Sequence, residues 1–549
     1  MNNDKNLKKS EELFNDGLNL IKINNYYEAK SKLENALALT PERYSIINNL
    51  VFINLKIKNL KEALFYSKKL NEIDPDNFEV KINYIKLLIT NNFFCLARKN
   101  LKKLNENAAF KKKKQVIYET IGDLYSRICF TRLTILNYLK SYFLNKNYLS
   151  LSRVFFNNLY TGISIEKLCN KTLYKYKEEG NLENKNIKKK KQLILGFICA
   201  DFRNHPVGYF SLSFLKELRK SFKIFLYHNS DIKDDYTDRF ILQTSDSFNF
   251  VKNLNDENLI NQIKNDNIDI LFDLSGHTPG NRLSIFKKKI VPLQFTCFGY
   301  AATTGLKEID HIILDPYVYN SEEFFSEKPL LMSKIWCSMT IPDLSRLEIN
   351  KKLPCENKGL FTFGCLNNIR KLNLNVIRVW SQILKKSQKY KLYLQNTDLD
   401  IPLVRRFLIN EFKKNGVHRE QLLIAKSEER YKTLNQYNNI DLVLDPFPYN
   451  GGTSSFEASL MGVPILVLEG NSFLSRCGVS INNNLNLTQL IAKNEIDYIE
   501  KAIRFSENIR ELSQIKKNHH YEVINSPLFD NASYANNFAR KIQLIYSKL

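Results

Sequence analysis

The nine cysteines are scattered, with no C-x-x-C pair and no Cys/His spacing of the kind that holds zinc. A disulfide scaffold and a zinc module are therefore both excluded, and the pattern fits a reducing compartment. No uninterrupted apolar run reaches the roughly 18 to 20 residues that span a bilayer, and the N-terminal stretch MNNDKNLKKSEELF has no signal-peptide apolar core. The expectation is a cytoplasmic protein without a transmembrane segment. Acidic residues are outnumbered, 57 Asp+Glu against 81 Lys+Arg, for a net charge of +24. No nucleic-acid motif or arginine-aromatic platform accompanies that excess, and the lysines are spread through the chain among abundant Asn and Ile. The charge therefore reads as background composition, with no nucleic-acid partner expected. The KKKK runs at 111–114 and 188–191 read as solvated linkers.

What is present is length and order. A chain of 549 residues is too long for one core and implies about three domains. Its first hundred residues repeat: Ala29, Ala63 and Ala97 share one register and Pro41 and Pro75 another, within NNYYEAKSKLENALALTPE, KNLKEALFYSKKLNEIDPD and NNFFCLARKNLKKLNEN. The interval is the tetratricopeptide period of about 34 residues. The small Ala lets paired helices approach, Leu33, Ala36, Leu64 and Leu70 fill their seam, and proline closes each unit. The segment 118–148 reads as a degenerate fourth repeat displaced by the basic insertion, and the helical region is expected over residues 10–180.

Beyond the basic stretch at 185–191 the pattern changes to short apolar runs separated by helical stretches. LILGFICA, FKIFLYH, IDILFDL, PLQFTCFGY and HIILDP read as buried parallel strands of one α/β lobe, residues 192–355. A second series, LFTFGCLNN, YKLYLQ, QLLIAK, DLVLDP and MGVPILVL, forms another lobe over 356–549, with the poorly patterned stretch 319–358 as the crossover. The expected fold class is an all-α tetratricopeptide-repeat superhelix followed by two Rossmann-like lobes with a cleft between them.

Three motifs fall at the cleft end of strands in the first lobe. DFRNHPVGYF (201–210) places His205, a side chain of tunable pKa, at the ligand crevice. DLSGHTPGNR (273–282) places His277 and Thr278 there, and FGYAATTG (298–305) adds a Gly-bounded loop. A histidine in such a place is often an ordinary hydrogen-bonding residue; three motifs on one sheet edge are what point to a site. In the second lobe DLVLDPFPYNGGTSSFE (441–457) is a strand, a Gly turn and a helix start. Gly451 and Gly452 let backbone approach a ligand closely, while the first helical N–H groups and the hydroxyls of Thr453 and Ser454 favour a phosphate or diphosphate.

Taken in order, LGFICADFRNHPVGYF, DILFDLSGHTPGNRL, PLQFTCFGYAATTGL, FTFGCLNNIRKLNLNVIRVWSQIL, DLVLDPFPYNGGTSSFEASLMGVP and LIAKNEIDYI resemble the catalytic region of the O-GlcNAc transferase and SPINDLY glycosyltransferases, which also carry tetratricopeptide repeats. The resemblance implies a GT-B fold, no metal cofactor, a nucleotide-sugar donor held by the second lobe, and inverting transfer to Ser or Thr of polypeptides bound through the repeats. It implies that Lys371 stabilises the leaving diphosphate, that Asn368, Gly451, Gly452, Thr453 and Ser454 line the nucleotide and its phosphates, with His277 and Thr278 as further donor-side candidates, and that Glu457 stands at the ribose. His205 matches a histidine that acts either as general base or as a positioner of acceptor or sugar, and Arg476 is a secondary binding candidate.

Two positions depart from the family pattern: Gly452 stands where animal-type O-GlcNAc transferases carry a histidine, and Thr433 stands where many relatives have one, so the FPYNGGTSS wording is closer to the SPINDLY branch. That branch includes a protein O-fucosyltransferase. The expected function is therefore protein O-glycosyl transfer with UDP-GlcNAc favoured over GDP-fucose; the rival from another class is a non-catalytic repeat scaffold with decayed transferase lobes.

Overall fold

The computed structural model describes residues 2–173 and 192–549. The basic stretch 185–191 and Gly180, expected to end the helical region, lie outside the described residues. Two compact units form, Met1–Val154 and Phe155–Leu549.

The first unit is built from consecutive helix pairs. Helices Asn2–Lys22 and Tyr26–Leu39 pack together, as do Tyr44–Lys56 with Leu60–Ile73 and Phe78–Thr90 with Phe94–Glu106. The second helices start at Tyr26, Leu60 and Phe94, so 60 − 26 and 94 − 60 both give 34. Ala29, Ala63 and Ala97 are fully buried, as a close helix approach requires. Leu33, Ala36, Ile46, Leu50 and Leu70 share one apolar cluster, each aliphatic side chain stabilising the pair by about 1.5–3 kcal/mol. A fourth pair, Lys114–Arg127 and Thr131–Asn145, follows the 3₁₀ segment Ala108–Lys113 that carries the lysine run. At its seam Gly122 takes the small-residue place: a Cβ there would lie 2.5 Å from the Tyr138 ring.

The division between the units falls inside the helix Tyr148–Asn158, well before residue 180. Its physical basis is packing. The Phe155 ring lies 4.7 Å from His277, the Phe155 carbonyl accepts from the Tyr300 hydroxyl at 3.2 Å, and Tyr160 meets Tyr449 at 5.1 Å. Residues 155–173, expected with the repeats, thus belong to the α/β unit.

Among the described residues that unit holds two all-parallel sheets. In chain order the first has β1 (Ile194–Cys199), β2 (Lys223–His228), β3 (Ser247–Phe250), β4 (Ile270–Asp273), β5 (Leu293–Thr296), β6 (His311–Leu314) and β7 (Lys328–Leu331). Their spatial order is β3-β2-β1-β4-β5-β6-β7, with Phe197 of β1 in register with Leu226 of β2 and Phe272 of β4. The second sheet has β8 (Phe361–Cys365), β9 (Tyr390–Gln395), β10 (Leu422–Ala425), β11 (Leu442–Leu444), β12 (Ile465–Leu468) and β13 (Ile491–Ala492), in the order β10-β9-β8-β11-β12-β13. Central strands are buried along their length and therefore read as continuous apolar runs. The edge strands β3 and β7, partly exposed, went unread; β7 lies inside the stretch 319–358 expected to be a crossover.

The final helix Asn531–Tyr546, within the expected second lobe, packs on the first: Phe538 and Tyr534 meet Phe214 edge-on at 5.0 and 5.4 Å. Phe214 sits on the helix Pro206–Leu218 that follows β1, so the chain end braces the element carrying the first cleft motif.

Candidate active site

Strand order reverses at β1/β4 in the first sheet and at β8/β11 in the second. Loops leaving the C-terminal ends of two such strands diverge to opposite faces and open a crevice. Four of the motifs sit on these loops, 201–205 after β1, 273–278 after β4, 366–371 after β8 and 445–454 after β11, while FGYAATTG (298–305) follows β5.

In the second lobe Lys371 ends the one-turn 3₁₀ helix Ile369–Lys371. Its ammonium donates to Asn367 Oδ1 at 3.0 Å and to the Asn450 carbonyl at 2.8 Å, and lies 4.2 Å from the Tyr449 ring centroid. Asn367 Oδ1 also accepts from Ser454 Oγ at 2.6 Å, which joins the β8 and β11 loops at one atom. Burial pulls the Lys371 pKa down, opposed chiefly by the Asp445 carboxylate, whose own pKa burial pushes up.

The β11 loop turns because Asp445 Oδ1 accepts from the Gly451 N–H at 2.7 Å. A Cβ on Gly451 would lie 2.0 Å from Ser455 Oγ, so only glycine fits. Gly452, the residue before helix Thr453–Leu460, has nothing within 4 Å of the corresponding point and faces open space. The free N–H groups of that helix start and the Thr453 side chain are therefore accessible beside the Lys371 ammonium. Asn368, by contrast, spends its side-chain oxygen capping Arg370 N–H at 3.0 Å.

In the first lobe His205 caps the helix Pro206–Leu218, its Nδ1 accepting from Val207 N–H at 3.3 Å. With Nδ1 an acceptor, the neutral ring carries its proton on Nε2. Asp201 Oδ2 lies 3.6 Å from Nδ1, while Asp201 Oδ1 takes a 2.7 Å bond from Arg203. Burial lowers the His205 pKa, opposed by Asp201 and aided by Arg203, so the ring is neutral at physiological pH. The helix starts tightly: a Cβ on Gly208 would meet the Arg203 carbonyl at 2.1 Å.

His277 is not in the crevice wall. It is 2% exposed, bonds Thr304 O through Nε2 at 2.8 Å, and is sandwiched near Phe155 and Tyr300. Burial lowers its pKa to about 4. It ties the β4 loop to the 298–305 loop, and Thr278 Oγ1 bonds Ser275 O in the same turn at 2.8 Å.

Glu457 accepts from Arg430 Nε at 3.2 Å. Arg430 crosses the cleft, stacking 3.4 Å over the Tyr209 ring and reaching Tyr236 Oη at 3.3 Å, both on the first lobe. Arg476 also spans the lobes, donating to Tyr317 O at 2.7 Å and to Glu469 at 2.5 Å. Sequence reading missed Asn367, Asp445, Asn450, Arg430 and Tyr209. The first and third flank motif residues already singled out and were the ones within reach. Among the described residues no group of three His, Cys, Asp or Glu side chains is arranged to hold a metal ion, and no helix is long and apolar enough to cross a membrane.

Two facing Rossmann-like lobes with a site at both switch points define the class, the GT-B arrangement. Residues 156–340 and 351–538 match glycosyl transferase family 41, and the chain belongs to that family. Over 355 residues it is 27% identical to a probable UDP-N-acetylglucosamine–peptide N-acetylglucosaminyltransferase SPINDLY of Petunia hybrida, covering 63% of this chain and 38% of that one. It is 25% identical over 361 residues to the corresponding SEC protein of Arabidopsis thaliana, covering 64% of this chain and 36% of that one. The chain thus spans less than two fifths of the length of these curated relatives. An O-GlcNAc transferase mutant of Thermobaculum terrenum shares the fold with a TM-score of 0.77 at 21% identity, covering 98% of both chains.

Proposed function

We propose that this protein is a nucleotide-sugar-dependent protein O-glycosyltransferase that transfers GlcNAc from UDP-GlcNAc to Ser or Thr of polypeptides with inversion. The observation that carries the reading is the convergence of the Lys371 ammonium, the Ser454 hydroxyl and the open helix start at Gly452–Thr453 on one side of the second-lobe switch point. That is a diphosphate cradle, and positive charge held there is what a departing nucleoside diphosphate needs. In the proposed step the acceptor hydroxyl oxygen bonds to the sugar's anomeric carbon as the bond from that carbon to the phosphate oxygen breaks on the opposite face, and the hydroxyl proton passes to a phosphate oxygen of the donor. Lys371 and the helix N–H groups take up the charge on the leaving oxygen, so the chemistry needs no metal cofactor.

His205 acts in this reading by orienting the acceptor or sugar through Nε2–H. Its Nδ1 lone pair is engaged by Val207, and a base role would require the other tautomer. Glu457, freed from or shared with Arg430, contacts the ribose. The repeat unit supplies the surface for extended acceptor chains, as helical repeats do, and the cytoplasm is the compartment such a substrate pair implies.

A second reading, GDP-fucose as donor, is favoured by one observation: Gly452 leaves the space beside the phosphates empty where animal-type relatives carry histidine. Calorimetric titration with UDP, GDP, UDP-GlcNAc and GDP-fucose, followed by mass analysis of a Ser/Thr peptide incubated with the donor that binds, tests both. UDP binding with a peptide mass gain of one N-acetylhexosamine is expected. GDP-only binding would transfer the assignment to fucose, and no binding at all would leave the repeat scaffold.

A further inference from the structure

Lys371 is a half-buried cation whose hydrogen-bond acceptors are both neutral. Its two acceptors are an amide oxygen and a carbonyl, Asn367 Oδ1 and Asn450 O, and no carboxylate lies within ion-pair distance of it among the described residues. A buried ammonium without a counter-charge tends to lose its proton, and a neutral amine cannot stabilise a leaving diphosphate.

Asp445 directly follows β11 and is fully buried. Its main-chain oxygen accepts from the Tyr498 hydroxyl at 3.1 Å, fixing the strand end, and its Oδ1 receives the Gly451 N–H. Its Oδ2 has no hydrogen-bond partner. The Gly451 bond closes the turn containing Asn450, whose side chain is pinned in addition by Pro446 O at 3.1 Å and by the Gly478 N–H at 3.3 Å. The Asn450 carbonyl is therefore delivered to Lys371 by a turn that Asp445 closes.

We propose that Asp445 is a positioning residue for Lys371: its carboxylate both sets the turn that presents the Asn450 carbonyl and supplies the counter-charge that keeps the ammonium protonated between donors. The inference rests on the diphosphate role given to Lys371 above.

The surroundings of Asp445 support it. The titratable groups facing it are Lys371 and Cys365 from β8 and the turn after it, Tyr437 ahead of β11, Cys477 from helix Cys477–Asn484 and Tyr498 from helix Glu495–Glu507. The thiols and phenols are all pushed up by burial and stay neutral near pH 7. Lys371 is left as the cation that answers the carboxylate. When a donor diphosphate binds, its own negative charge takes over that task, so the effect belongs to the free enzyme.

The test uses Asp445→Asn, which keeps an acceptor for the Gly451 N–H and removes the charge. Affinity for whichever nucleoside diphosphate binds, UDP or GDP, is measured calorimetrically on the full chain from pH 7 to 9.5. The wild type should lose affinity as Lys371 deprotonates, and in Asp445→Asn that loss should move to lower pH by roughly one unit. In Lys371→Arg, whose cation does not titrate in this range, the alkaline loss should be absent with or without Asp445→Asn. An alkaline midpoint unmoved in a folded Asp445→Asn overturns the inference alone. Failure of the wild type to bind any nucleoside diphosphate overturns the functional reading and this inference with it.

Discussion

The guanidinium of Arg430, on the second lobe, lies 3.4 Å over the ring of Tyr209, on the first. The same guanidinium pairs with Glu457, so one side chain couples the cleft's closure to the residue expected at the ribose. Both partners of the ion pair are largely buried, with side-chain exposures of 13% and 15%. Arg430→Ala leaves Glu457 buried without its cation, which should cost about 3–5 kcal/mol. Burial already raises the Glu457 pKa, and losing Arg430 raises it further. A carboxyl with a folded-state pKa above its unfolded one contributes stability at acid pH that is lost as pH rises through the folded value. The deficit of Arg430→Ala in urea denaturation should therefore be larger at pH 8 than at pH 5; an equal deficit at both would show that the charge of Glu457 is not what Arg430 answers.

Lys371→Ala should lower turnover on the order of a hundredfold or more, because the charge it removes acts where the leaving oxygen becomes negative. Donor binding measured by titration should persist more than turnover does. The active form is the ammonium, and burial lowers the Lys371 pKa to about 8. With the cation lost as pH rises, kcat/KM, which reports the free enzyme, should fall through that range while kcat at saturating donor falls later. Near-normal turnover in Lys371→Ala with donor bound would remove the lysine from the leaving-group role.

His205→Ala separates positioning from proton transfer. Burial keeps the His205 pKa below the ordinary histidine value, so protonation occurs only on the acid side. A base that must be neutral would give an acid limb in the rate profile, and that limb would vanish in the mutant. The Nδ1 bond to Val207 leads to the opposite expectation: a rise in acceptor KM and a lower rate, with the acid limb intact.

Legibility followed burial. The repeat register was readable because Ala29, Ala63 and Ala97 are all at a close helix approach, and the central strands because both faces are covered. Strands β3 and β7 escaped because their residues are half exposed at sheet edges and so lack a long apolar run. The positions of His205, Lys371, Thr453 and Ser454 at strand ends followed from motif and strand order. Asn367, Asn450 and Asp445 matter through contacts between the β8 and β11 loops, and Arg430 with Tyr209 through contact between lobes. Neither pairing leaves a local pattern. His277 looked like a crevice residue because it follows β4 directly, but the left-handed Gly276 turns the chain and sends the imidazole inward, against Phe155.

Adjacent glycines should respond differently. Gly451→Ala places a methyl 2.0 Å from Ser455 Oγ and 3.0 Å from Asp445 Oδ1, so the turn must shift and the Asn450 carbonyl with it. A loss of roughly 1–3 kcal/mol with a marked fall in donor affinity is expected. At Gly452 nothing lies within 4 Å, so an added methyl meets no atom there, and its φ of −102° is outside the left-handed region, while its ψ of −94° falls beyond the main α basin. Gly452→Ala should therefore cost about 1 kcal/mol from the backbone alone, with no displacement of the Asn450 carbonyl. Thermal unfolding and donor titration on both variants check the contrast; equal damage would mean that the turn is not limited by Ser455.

The boundary between the units carries the last prediction. A fragment beginning at residue 147 keeps Phe155, Leu159 and Tyr160, whereas one beginning at 192 lacks them. Phe155 is fully buried, and Leu159 and Tyr160 are 6% and 8% exposed. They pack on His277, Tyr300, Leu474 and Tyr449, and Gly162 runs so close to Pro448 that a Cβ there would lie 2.8 Å away. Deleting them strips apolar cover from the 298–305 loop of the first lobe and the 447–450 loop of the second at once. At about 1.5–3 kcal/mol per large apolar side chain, three such losses are comparable with the whole net stability of a typical domain, about 5–15 kcal/mol. The fragment from 147 should unfold cooperatively and bind the same nucleotide as the full chain, while the fragment from 192 should be insoluble or melt without a cooperative transition. A well-folded fragment from 192 with full nucleotide affinity would place the boundary after residue 173 and assign the intervening helices to the repeats.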